Sequence, residues 1–164
     1  MRQTYSSPHQ ALHWLTLGLF LVQLWTYPAI GRSHHAPHFG LPIDPWDLVL
    51  HKVHTIAGVS ILLFTLLRLW IRYRNPVSPP SVPGRFLPWL SGMTHAALYA
   101  VLILLPITGL LKAYFLSGAG PIHILLTRAL YGLLAIHVAA ALIHALFWRD
   151  RSMARMGIRL PFRR

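Results

Sequence analysis

The sequence predicts an all-α, integral membrane four-helix bundle with both termini cytoplasmic, and three observations carry that prediction. The chain has 164 residues, 55% of them hydrophobic, and a mean hydropathy of +0.51, which is too apolar for a soluble domain of this size. Apolar runs of spanning length recur at about 11–30, 53–73, 87–114 and 122–148, without the alternation of a membrane β-barrel. The basic residues are also unevenly divided between the flanks of those runs. Arg2, Arg68, Arg72, Arg74, Arg85, Arg149, Arg151, Arg155, Arg159, Arg163 and Arg164 fall on one side, against Arg32, Lys52, Lys112 and Arg128 on the other. Positive-inside counting then puts both termini in the cytoplasm of a multi-pass protein. The net charge of +12 is accounted for by these membrane edges, so no nucleic-acid partner is expected. Residues 1–164 read as a single transmembrane domain.

The first helix follows Pro8 and carries His13 about one and a half turns inside, with Trp14 as an interfacial anchor. His9, one turn earlier, is expected to be solvated. Polar residues within the run (His13, Gln23) and the lack of a small-residue cleavage site favour a retained span over a signal peptide. The connection over 31–47, GRSHHAPHFGLPIDPWD, reads as a flexible loop on the trans side. Its His34, His35 and His38 are better explained as solvated side chains than as a surface metal site.

The second helix opens HKVHTIAG. His54 and Gly58 are four residues apart and share a face, and glycine there removes a side chain that would block a flat ring lying against the backbone. Lone His51 is a weaker signal. Arg68 follows His54 by 14 residues, on the same face near the opposite surface, where it either snorkels or stands beside a cofactor anion. Five prolines over 75–88 end the helix and make an exposed cytoplasmic linker. The third helix carries His95 early and Pro106 late, where a kink is expected.

The short turn over 117–121 delivers the chain to the fourth helix, with His123, His137 and His144 in an otherwise apolar run. At about 100° per residue, a 14-residue interval falls about 40° short of four full turns, so His123 and His137 leave nearly one face, roughly 21 Å apart along the axis. His144 follows on that face 7 residues later. Ionisable groups in a span are costly and normally face the protein interior, so this stripe points to ligands or a relay.

The chain has no cysteine, which excludes disulfides, thiolate-held clusters and covalent haem attachment. The acids are Asp44, Asp47 and Asp150, none of them expected in the core, which disfavours zinc and a carboxylate-assisted proton relay. The topology sets His54 and His123 at one depth near the trans surface. His13, His95, His137 and His144 all fall near a second, cytoplasmic depth, and spacing alone does not choose a pair among them. Two axial histidines at each of two levels suit bis-imidazole haem.

Taken in order, several short segments bear a further resemblance: LHWL at His13, the His54–Gly58 interval followed by Arg68 and Arg72, HAALY at His95–Tyr99, LPITG at Leu105–Gly109, the His123–His137 interval and the closing AALIHALFWRD. Together they resemble the bacterial cytochrome b561 family along nearly the whole chain. The resemblance implies a di-haem b electron-transfer protein of the bacterial inner membrane, with His13 and His137 holding the iron of the cytoplasmic haem and His54 and His123 that of the periplasmic haem. It further implies a quinone-linked oxidoreductase of the superoxide oxidase type, using ubiquinone, with His144 and His95 on the quinone side. Gly58 would border a haem, and Arg68 and Arg128 would neutralise haem propionates. One departure is the connection from Tyr114 to His123, which is shorter than that type leads one to expect and leaves the outer electron donor open. Alternatives are a haem-b anchor subunit bound to a partner subunit of a larger dehydrogenase, and a small histidine-based metal or proton transporter.

Overall fold

The computed structural model describes residues 4–77, 86–147 and 153–158. Helices α1 (Ser7–His35), α2 (Pro45–Arg74), α3 (Phe86–Tyr114) and α4 (Gly120–Leu146) are each long and apolar enough to cross a membrane. Short 3-10 turns at Ala36–Phe39, Ser117–Ala119 and Ala154–Met156 complete the described elements. Arg2, Arg85, Arg149, Asp150, Arg151, Arg159, Arg163, Arg164 and most of the proline-rich linker lie outside the described residues.

The start of α2 follows capping chemistry. Asp44 accepts a hydrogen bond from the Trp46 backbone N–H at 2.8 Å, and Pro45 sits in the first turn of α2, where its missing N–H costs nothing. Within the spans, several hydroxyls are satisfied locally, by bonds such as Thr16 Oγ1 to Leu12 O at 2.7 Å and Thr127 Oγ1 to His123 O at 2.8 Å. Such back-bonding lets a polar side chain sit in a span without water.

The expected loop over 31–47 is shorter than the sequence suggests, because α1 runs on through Pro28 to His35. Two contacts hold that extension onto α2. Arg32 donates to both carboxylate oxygens of Asp47, and the His34 ring meets His51 edge-on at 5.6 Å between centroids. Asp47 is buried, so one acid does enter the bundle, but at its end and already paired. At the opposite end the N- and C-terminal segments meet. Gln10 donates to Arg155 O at 3.1 Å and the Trp14 indole N–H to Met156 O at 3.0 Å. The turn between them needs Gly157, which has φ +89°, and whose missing Cβ leaves room for the Gln10 amide.

Halfway along the bundle lies an apolar layer of Leu98 and Val101 from α3 and Leu130 from α4, with Phe20 of α1 packed against it. Phe20 also meets the Tyr131 ring edge-on at 6.3 Å. Packing rather than hydrophobic expulsion from water holds such a layer in lipid. It separates two polar levels, each built on imidazoles.

Candidate cofactor-binding site

The level nearer the Arg32–Asp47 pair contains His54 and His123. The Nδ1 of His54 lies 2.9 Å from Thr26 Oγ1 on α1, and its backbone carbonyl accepts from the Gln23 amide at 2.8 Å. His123 Nδ1 lies 3.0 Å from the Leu105 carbonyl of α3, with Thr108 Oγ1 at 3.3 Å. A carbonyl only accepts, so His123 carries its proton on Nδ1 and keeps its lone pair on Nε2, the usual arrangement in a metal-ligating histidine.

Gly109 has a steric role here that its place in LPITG did not disclose. A Cβ built on it would come 3.1 Å from His123 Cε1, so glycine is what lets the imidazole lie against α3. Gly109→Ala is expected to displace that ring and to cost about 1–3 kcal/mol through overpacking. A lowered thermal midpoint in detergent would be the sign; an unchanged one would show that the ring has room to move. Gly58 is placed differently from the reading above, because the Gln23 amide, rather than open space, faces the position its Cβ would take, at 3.3 Å.

The other level, at the arginine-rich end, gathers His13, His95 and His137 from three helices. The ring centroid of His137 lies 6.4 Å from that of His13 and 5.3 Å from that of His95. His95 Nδ1 is 2.7 Å from Ser91 O, which ties it to its own helix. The expectation that His9 is solvated is overturned. It is 2% exposed and stacked on Tyr5 at 4.6 Å, because α1 begins at Ser7 and Tyr5 folds over the ring. No signal in the sequence separated His9 from a surface histidine, since its cover comes from irregular chain.

Arg68 lies half-buried with its guanidinium 5.6 Å from the Tyr99 ring centre, close enough for its charge to act on His9, His13, His95 and His137. Among the described residues the buried side-chain atoms with no hydrogen-bond partner are His9 Nδ1, His13 Nδ1, Thr65 Oγ1 and Arg68 Nε, all on the half of α1 or α2 toward the arginine-rich end. Unpaired buried polar atoms are costly, and a cluster of mainly nitrogen donors around a guanidinium suits an anionic group. Arg128, by contrast, is exposed, and His144 is half-buried in the last turn of α4.

Four apolar spans with imidazoles gathered at two depths and, among the described residues, acids only toward one end of the bundle suit a membrane protein of the b-type cytochrome class. The family profile for prokaryotic cytochrome b561 matches residues 4–157, and the chain belongs to that family, whose members carry out haem-b electron transfer in membranes. Two curated relatives agree. A Yersinia pestis protein named "Probable superoxide oxidase CybB" is 28% identical over 95% of this chain and 97% of its own length. Cytochrome b562 of Cereibacter sphaeroides is 28% identical over 93% of this chain and 94% of its own.

Proposed function

We propose that this protein binds two haem b groups, His54 and His123 holding the iron at one level and His13 and His137 at the other, and carries electrons between an outer donor and membrane ubiquinone. The observation that supports the reading is the gathering of imidazoles at two depths, with His123 held by its Nδ1–H so that Nε2 keeps its lone pair. Haem iron, when bound, supplies the one-electron carrier; the chain supplies ligation, spacing and charge. Arg68 and His9 would bind propionate at the arginine-rich level, with the buried, unpartnered Arg68 Nε and His9 Nδ1 supporting that role. Gly58 and exposed Arg128 remain secondary candidates, and His144 and His95 are proposed to face the quinone. The name of the Yersinia pestis relative makes superoxide the first donor to test. A purified sample is expected to show a reduced-minus-oxidised spectrum of low-spin haem b with two haems per chain. A stoichiometry of one would remove a level from the reading, and a colourless protein would favour the transporter alternative.

The family and the arginine distribution support the bacterial inner membrane with both termini cytoplasmic. A C-terminal reporter is therefore expected to be active only in a form that works in the cytoplasm. Activity confined to the outer side would invert the levels and place the quinone-side histidines outside.

A further inference from the structure

We infer that Thr26 is a positioning residue for His54: its hydroxyl accepts the Nδ1 proton, and so fixes which imidazole nitrogen is left to hold iron. The inference rests on the haem reading above and deepens it. Thr26 is fully buried, at 0% exposure, on α1, the helix packed beside His54. Its Oγ1 lies 2.8 Å from Val22 O, 3.2 Å from Gln23 O and 2.9 Å from His54 Nδ1. A hydroxyl has a single proton, and either carbonyl can only accept it. Once that proton is given to Val22 or Gln23, Thr26 can meet His54 only with a lone pair, so His54 must donate from Nδ1 and keep its lone pair on Nε2.

Gln23, one turn earlier on α1, completes the arrangement. Its Nε2 donates to His54 O and packs where a Cβ of residue 58 would stand, so α1 grips both the ring and the backbone of the same residue. The two histidines of this level are thus oriented by different chemistry. His123 leans on a main-chain carbonyl that no substitution removes, whereas His54 leans on a replaceable hydroxyl. A hydrogen bond accepted from the far nitrogen of a ligating imidazole increases its basicity and favours ferric iron.

Four variants, with each haem titrated separately, test this. Thr26→Val keeps the shape and removes the acceptor. It is expected to keep two haems per chain, to raise the midpoint potential of the His54-level haem alone, and to weaken retention of that haem roughly ten-fold or more, as for other lost outer partners of metal ligands. Thr26→Ser restores the lone pair and should return both values toward wild type. Unmoved potentials in Thr26→Val, equal movement of both haems, or failure of Thr26→Ser to rescue would overturn the inference. Should Thr26→Val lose both haems or fail to fold, Thr26→Cys decides: its weaker acceptor should shift the same potential in the same direction by less, and no shift sinks the idea. His54→Ala separates the inference from its parent. If that variant keeps two haems, the ligand reading fails; if it loses one while Thr26→Val changes nothing, only the role of Thr26 fails.

Discussion

His54→Ala and His123→Ala should each leave a protein with one haem, and it should be the same haem that is lost in both. The two side chains belong to one level and the apolar layer of Leu98, Val101 and Leu130 stands between that level and the other, so the loss should not spread. Losing one of the two residues that would hold that haem's iron is expected to leave the other unable to retain the haem alone. The expected readouts are a halved haem-to-protein ratio and disappearance of one of two potentials in a redox titration. His13→Ala and His137→Ala should remove the complementary one. If either outer variant retained two low-spin haems, the pairing of His54 with His123 would be wrong, and His51, beside His34, would be the next residue to substitute.

The second large effect is expected at His144. It lies on α4 7 residues beyond His137, about 10 Å further along the axis by helix geometry, in the last turn before the described helix ends. Quinone reduction consumes protons as well as electrons, and an imidazole is the side chain best matched to deliver one near neutral pH. His144→Ala is therefore expected to keep both haem spectra and slow haem oxidation by added ubiquinone by roughly ten-fold or more, the loss typical of a positioned acid or base. Unchanged quinone kinetics would move the assignment to His95, whose ring already meets His137 at 5.3 Å. Loss of a haem instead would make His144 a ligand and release His137 for another role.

The four-helix architecture was legible because it depends on features that a single sequence displays, namely the length and apolarity of its runs. The depth and face of His13, His54, His123 and His137 were legible from helical spacing, while their pairing rests on the family resemblance. Which residues lie beside them was not. Thr26 and Gln23 reach His54 from a helix 28 and 31 residues away in sequence, and periodicity within one helix says nothing about the rotation of its neighbour. Gly58 shows the limit well: a glycine opposite a histidine suggests room for a ring, and the room is taken by an amide. His9 failed for a different reason, because Tyr5, which covers it, lies before the first helix, where hydropathy carries no information. The α1 extension to His35 was hidden by Pro28 and the glycines and prolines after it, whose breaking tendency is outweighed by the Arg32–Asp47 pair.

Both proposed levels draw one of their histidines from α4, the last helix to be synthesised. A nascent chain that has delivered α1, α2 and α3 to the membrane possesses Thr26, Gln23 and His54 but neither His123 nor His137. On the proposed pairing, neither level can be completed until α4 has been made, and a chain arrested anywhere before Gly120 would lack one of the two residues proposed to hold each cofactor. The latch from Arg155 and Met156 back to Gln10 and Trp14 spans nearly the whole sequence and forms later still. On the proposed pairing, cofactor capture therefore waits for α4, and the terminal latch is added after it.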